Sequence, residues 1–184
     1  MNDVIHSSNL SKEDSTSVIV DTMVSMGIIG PYAGINFGFR KKNSRASYWR
    51  KPADIRTARV LVSGGRGLGN STYFNELQNL SNLIDGAEVS CSRASVVCGW
   101  INSERQVGAT GNHVSPLLYL AFGISGTDQH NAGIIDAHNV IAINTNPTAP
   151  IFLRANLGIV GNLHELVPIL TRKILRLRMW YGCE

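Results

Sequence analysis

From Ala58 onward, short apolar runs alternate with amphipathic stretches. Val60–Ser63 predicts a buried strand. Tyr73–Ile84 places Phe74, Leu77, Leu80 and Ile84 on one stripe, with Glu76, Gln78 and Asn79 away from it, which predicts a helix. Asn70 or Ser71 supplies its cap and Asp85-Gly86 closes it. Ala87–Ser92 alternates as a second strand, and Ala94–Trp100 reads as a short helix or turn. Gln106–Thr110 predicts a short strand, Leu117–Ser125 a central buried strand and Asp128–Ile135 a short helix. Val140–Asn144 and Ile151–Ala155 predict two more strands. Asn162 with Glu165 three residues on forms a capping-box pattern. It opens a last helix carrying Leu163, Leu166, Val167, Leu170, Ile174 and Leu177 on one face, bent at Pro168. Alternating strands and helices of this length imply an α/β fold, a doubly wound, three-layer, mainly parallel sheet.

The front of the chain lacks that regularity. Residues 1–16 read as a polar, mobile lead, Ser17–Gly38 as either a strand pair or a short helix, and Phe39–Thr57 as a basic linker. The expected division is 1–57, a divergent or truncated amino-terminal segment with linker; 58–178, the α/β domain; and 179–184, a tail. A length of 184 residues suits one domain with an appendage.

Charge changes this picture little. The net charge is +4, yet residues 59–171 hold five basic against seven acidic side chains. The excess sits in Arg40, Lys41, Lys42, Arg45, Arg50 and Lys51, and in Arg172, Lys173, Arg176 and Arg178. Solvated flanking charge explains the basic balance without nucleic acid. Cys91, Cys98 and Cys183 form neither a CxxC pair nor a metal-ligand spacing, which points to a reducing compartment. No basic n-region precedes an apolar h-region, and the apolar stretch Val18–Ile29 is short and interrupted by Asp21, so no membrane insertion is expected.

The candidate chemistry begins at Val60-Leu-Val-Ser-Gly-Gly-Arg-Gly-Leu-Gly-Asn70, a strand running into a glycine turn with Arg66 as its charge. Such a turn lets backbone approach a nucleotide phosphate. Two standard motifs fail here. A dinucleotide fingerprint counted from Gly65 and Gly67 needs glycine where Asn70 stands. A Walker loop counted from Gly64 to Gly69 needs lysine at the same place. A Rossmann-like sheet without the GxGxxG fingerprint remains. Other predicted strand ends also carry small or hydrogen-bonding residues: Ser92-Arg93, Val107–Thr110, Gly123–His130 and Asn144. Ser125-Gly126-Thr127 at a helix start forms a second potential anion nest.

Together, Val62-Ser-Gly-Gly-Arg-Gly-Leu68, Ser92-Arg93-Ala94, Gly99-Trp100, Gln106-Val-Gly, Leu118-Tyr-Leu, Gly123-Ile-Ser-Gly126, Gln129-His130, Ile141–Asn144, Ala149–Phe152 and Gly158–Gly161 resemble the carboxyl-terminal FAD-binding domain of the electron transfer flavoprotein α subunit. The resemblance spans roughly 58–175. It implies FAD as cofactor, with Arg66 beside it and Ser92 and Arg93 near the flavin ring. The arginine's charge would favour reduced, anionic flavin. It also implies that Val107, Gly108, Ala109 and Thr110 form the family's Val-Gly-Gln-Thr loop, with Thr110 at the flavin N5–O4 edge. Ser125 and Gly126 would cradle the pyrophosphate, with Thr127 and Asp128 in the same run. Gln129 and His130 would lie at the flavin and ribityl side, His130 donating toward the pyrimidine oxygen. Asn144, Asn162 and Leu163 would lie at the adenosine end.

The implied activity is electron carriage, from a flavin dehydrogenase to a quinone-linked or flavin acceptor, with an electron transfer flavoprotein β-like subunit as heterodimer partner. The implied location is bacterial cytoplasm, or the mitochondrial matrix in a eukaryote. Neither catalytic residues nor a metal site is expected. This chain departs from the family at Ala109 (usually glutamine), at Val97 (usually aspartate), and at Asn146, Asn156 and Asn162 (commonly aspartate). Those changes, with the short front, define the alternative: a degenerate nucleotide-binding or assembly module without redox activity. A nicotinamide-dependent oxidoreductase is a third reading, against which the broken fingerprint spacing stands.

Overall fold

The structure, a computed structural model, describes residues 3–6, 10–29 and 54–181. Strands β1 (Asp3–His6), β2 (Val60–Gly64), β3 (Ala87–Ser92), β4 (Gln106–Val107), β5 (Leu118–Phe122), β6 (Val140–Asn144) and β7 (Leu157–Val160) form one all-parallel sheet. Their order is β1-β7-β6-β5-β2-β3-β4. β2 and β5 are buried along their whole length, as central parallel strands covered on both faces must be.

Helices α1 (Lys12–Ser25), α2 (Tyr73–Ser81), α3 (Arg93–Val97), α4 (Asp128–Ala132) and α5 (Leu163–Tyr181) complete the fold. One face of the sheet packs Val60, Val62, Leu120, Phe122, Ile141 and Ile159 against α1, α2 and α5 through Ile19, Met23, Leu77, Leu80, Leu170 and Ile174. The other face presents Leu61, Tyr119, Ala121 and Ala142 to a thinner cover, with Val107, Val114, Ile134, Ile151 and Phe152. The chain leaves β2 toward β3 and leaves β5 toward β6, in opposite directions across the sheet. The carboxyl ends of β2 and β5 therefore adjoin at the topological switch point, where open α/β sheets form their crevice.

The expected doubly wound parallel sheet is present. Its departures from expectation are local. Ile151–Ala155, expected as a strand, begins instead with a 3-10 turn over Pro150–Leu153, and the strand follows at Leu157. Proline starts a helical turn readily because its missing N–H would be unpaired there anyway. The helix expected over Tyr73–Ile84 ends at Ser81. Asp3–His6, expected as part of a mobile lead, pairs in register with Leu157–Val160. Within the ambiguous Ser17–Gly38 stretch the described part is helical as far as Ser25 and turns over residues 26–29, and that helix starts earlier, at Lys12, capped by Ser11 through Asp14 N at 3.1 Å. Most of the expected Phe39–Thr57 linker lies outside the described residues. Its end, Ile55–Thr57, is a 3-10 turn capped by Asp54.

α1 lies along α5. Lys173 donates to Ser17 Oγ at 2.6 Å and to the Glu13 carbonyl, and lies 3.3 Å from the Glu13 carboxylate. The expected capping box at Asn162 is not formed reciprocally. Asn162 Oδ1 accepts from His164 N at 3.1 Å, while Glu165 reaches Lys12 of α1 at 2.8 Å.

Candidate functional site

In a parallel sheet every strand ends on the same edge, so the predicted site residues gather there by topology. Arg66 follows β2, Ser92 and Arg93 end β3 and begin α3, Thr110 follows β4, and Ser125–Thr127 follow β5. Asn144 ends β6 and Asn162 follows β7.

The two loops at the switch point are built differently. Gly65 N donates to Phe122 O at 2.9 Å and Gly67 N to Gly123 O at 3.0 Å, so the first glycine turn is stitched backbone to backbone onto the second loop. A Cβ at Gly65 would lie 2.3 Å from Gly123 O. Absence of side chains there serves loop-on-loop packing rather than an open cradle. Arg66 rises from this turn exposed, its guanidinium without a hydrogen bond or ion pair among the described residues.

In the second loop the amides of Ser125, Gly126 and Thr127 have no acceptor among the described residues. Gly126 (φ +76°) sits where a Cβ would meet Ile151 N at 2.3 Å, and Ile151 N donates to Ser125 O at 3.0 Å. Asn144 braces the same loop: its Nδ2 donates to Ile124 O at 2.9 Å, and its Oδ1 accepts from Asn146 N at 2.9 Å. Its side chain is thus committed to the scaffold.

The Val107–Thr110 loop is clamped to α4. Ala109 N donates to Gln129 O at 2.6 Å, and Gln106 Nε2 donates to Thr110 Oγ1 at 3.0 Å. Val107 and Gly108 are buried backing, while Ala109 and Thr110 are exposed. Ser92 is buried at the start of α3, with Arg93 exposed beside it and without an ion pair among the described residues. Asp128 and Gln129 are exposed, and Leu163 is buried against the switch point, its Cδ2 2.9 Å from where a Gly123 Cβ would be.

His130 is turned inward. It is 6% exposed, with Nε2 3.0 Å from the Tyr119 hydroxyl, which itself donates to Ser63 Oγ at 2.6 Å. Burial pushes the imidazole down to about 4, against the opposing pull of the Val107 carbonyl. Burial raises the Tyr119 phenol, opposed by the hydroxyls of Ser63 and Ser90. Both groups are therefore neutral near pH 7. Tyr119, Ser63 and Gln106 escape sequence reasoning as site residues, because each sits inside an apolar run or a two-residue strand. A tyrosine and serines on the inward positions of otherwise aliphatic strands are the signal that marks them.

The three asparagines expected to be departures from the resemblance act as acceptors. Asn146 Oδ1 accepts from Thr148 N at 3.0 Å, Asn156 Oδ1 from Val140 N at 2.8 Å, and Asn162 Oδ1 from His164 N at 3.1 Å. An amide oxygen accepts such bonds as a carboxylate does. Val97 is exposed on the surface.

Unpaired amides, two exposed arginines without partners among the described residues, and exposed hydroxyls on one sheet edge suit an extended anionic ligand. Fold and edge together define an open α/β domain of the nucleotide-binding kind. Residues 54–135 match the family model "Electron transfer flavoprotein FAD-binding domain". The electron transfer flavoprotein subunit alpha of Thermoanaerobacterium thermosaccharolyticum is 46% identical over 125 residues, covering 68% of this chain and 38% of that protein. The mitochondrial subunit alpha of Dictyostelium discoideum is 48% identical over 121 residues, 66% of this chain and 34% of that protein. Protein FixB of Azotobacter vinelandii is 47% identical over 122 residues, 66% of this chain and 34% of its own. Residues 54–135 thus carry a domain of the electron transfer flavoprotein α-subunit kind, and the chain spans little more than a third of the length of these relatives.

Proposed function

We propose that this domain binds FAD along the carboxyl edge of its sheet and serves as an electron carrier of the electron transfer flavoprotein α type. The carrying observation is the run of unpaired amides at Ser125–Thr127 on the switch point, inside the segment that matches the FAD-binding family. Those amides would hold the pyrophosphate, with Arg66 as a further charge. Arg93 and the Thr110 hydroxyl would stand at the ring. Arg93 keeps a fixed positive charge there, which favours the reduced over the oxidised state. Bound FAD would supply the redox chemistry itself; the chain supplies position and electrostatics.

The partner that completes the cleft is a β-like subunit, with a flavin dehydrogenase as donor and a quinone-linked or flavin protein as acceptor. No described helix is long and apolar enough to cross a membrane. The same reading places the protein in the bacterial cytoplasm or the mitochondrial matrix. Purification alone, and with a co-expressed β-like subunit, tests the proposal. The expected product is yellow, with a flavin spectrum and FAD released on denaturation. Colourless protein that fails to take up added FAD in both preparations overturns it.

A further inference from the structure

α5 is longer than the sheet it covers. Its 19 residues run about 28 Å, whereas strands of 4 or 5 residues span about 13–17 Å. It begins after β7, at the carboxyl edge, and returns across the sheet. Arg178 donates to Asn82 O at 3.1 Å and lies 3.7 Å from Asp85, in the turn before β3. The last turns of α5 therefore lie at the amino edge, at the far end of the domain from the candidate crevice.

The inner stripe of α5, with Leu166, Leu170 and Ile174, is buried. A helix packed on one side ordinarily turns a polar face to water. Here the outer face is also apolar toward its end. Leu175 is exposed, and Met179 and Trp180 are 65% and 80% exposed. At helical spacing they share that face with Arg172 and Arg176, which are exposed and without an ion pair among the described residues. The helix carboxyl end accounts for a cation in the last turn, such as Arg178, but not for two arginines further back. The single acid of α5, Glu165, stands two turns before Arg172 and pairs with Lys12 at 2.8 Å.

Charge narrows what can cover this face. A second copy of the chain would set these arginines against their own kind across a two-fold axis. Residues 30–53 hold Arg40, Lys41, Lys42, Arg45, Arg50 and Lys51 and no acid, so that segment does not complement the face either. A nucleic acid offers phosphates but no seat for Leu175 and Met179. The surface of an anionic bilayer offers both: charged headgroups for arginine, and an interfacial layer that takes leucine, methionine and above all tryptophan.

We infer that the outer face at the end of α5 docks the domain on an anionic lipid surface. Arg172 and Arg176 meet lipid phosphates, and Leu175, Met179 and Trp180 enter the headgroup layer. The contact is peripheral and reversible, since two charges and three side chains hold a protein weakly. It leaves the carboxyl edge of the sheet turned away from the lipid. The inference stands on α5 and is independent of the cofactor reading.

The test sediments the full chain, alone and with the co-expressed β-like subunit, with vesicles of phosphatidylglycerol and phosphatidylcholine in equal parts, and with vesicles of phosphatidylcholine only. The expected result is binding to the anionic vesicles, fading with added salt, and a blue shift of tryptophan emission that Trp180→Phe removes. Arg172→Gln together with Arg176→Gln lowers partitioning about thirtyfold, the worth of two basic side chains at such a surface, with unchanged melting temperature. Replacing the six basic residues of 30–53 by glutamine leaves the Trp180 blue shift in place. Binding that the double arginine variant retains in full overturns the inference, as does equal binding to neutral vesicles. So does binding to duplex RNA in place of vesicles. A concentration-dependent dimer abolished by Met179→Ser, without vesicle binding, assigns the face to a second copy instead. Shielding of Trp180 by the β-like subunit, without vesicle binding in either preparation, assigns it to that subunit.

Discussion

The two loops at the switch point look alike in sequence and do different work. Gly64–Gly69 has the higher glycine content, yet Gly65 and Gly67 spend their amides on Phe122 O and Gly123 O. Gly123–Thr127 has fewer glycines and leaves the Ser125, Gly126 and Thr127 amides unpaired among the described residues. Glycine content therefore does not identify an anion nest; an account of where each N–H goes does. The first turn contributes a frame and one exposed cation, Arg66. The second contributes the donors, braced by Asn144 and by Ile151.

The strongest way to break this contrast is to add one methyl group to each loop. Gly126→Ala is expected to cost about 3 kcal/mol or more, because a Cβ would collide with Ile151 backbone and the residue sits at φ +76°. Gly65→Ala, with a collision at Gly123 O but φ of −107°, costs less, about 2–3 kcal/mol. Urea unfolding of the two variants checks the order, and a Gly126→Ala protein as stable as the parent would remove the bracing argument.

His130, just past the second loop, gives the next effect. Its folded pKa, about 4, lies below its ordinary 6.5. The unfolded chain takes up a proton between these values that the folded chain refuses. Stability is fully present above pH 6.5 and falls by up to about 3 kcal/mol as pH drops to about 4. The difference in unfolding free energy between the parent and His130→Asn, followed across that window, isolates this term from the carboxylates.

Asn144→Ala removes the side-chain bond that ties β6 to Ile124 of the second loop and the bond that holds the following turn at Asn146. A loss of about 1–2 kcal/mol is expected, with faster amide exchange at Ile124–Thr127. Unchanged exchange would show that the bonds from Ile151, Asn131 and Ile143 hold the loop without Asn144. Arg66→Ala has the smallest effect on folding, within about 0.5 kcal/mol, since the side chain is exposed and without a partner among the described residues. Its expected signature is a several-fold weaker FAD affinity with a shallower salt dependence, measured by titration. Equal salt slopes for parent and variant would exclude Arg66 from the ligand's neighbourhood.

Much of this fold is legible in the chain because buried parallel strands are written as unbroken apolar runs. β2, β3, β5 and β6 fall within a residue or a few of their expected bounds, and α2 and α5 follow from one-sided apolar stripes. The front was opaque for a local reason. α1 is built from serine, threonine and β-branched residues, which favour helix poorly. Its hydroxyls bond back along the helix, Ser15 to Ser11 O at 3.1 Å and Thr22 to Val18 O at 2.7 Å, and Ser15 and Thr16 are buried without loss. β1 and β7 are four residues each, too short for a period to register, and β1 exists as a strand by pairing with a segment more than 150 residues away.

The site divides along the same line. The order of elements, the gathering of strand ends on one edge and the residue types found there follow from the sequence alone, because a parallel sheet puts every carboxyl end on one side. Which of those residues face the crevice was decided by tertiary packing. Asn144 is consumed by the scaffold, and Ser125, Gly126 and Thr127 keep open amides. His130 turns inward because Tyr119, eleven residues earlier in the chain, and Ser63, from another strand, offer it a buried partner. Hydrogen-bond allocation depends on which neighbours lie within 3 Å, and that distance is a property of the folded chain, not of its order.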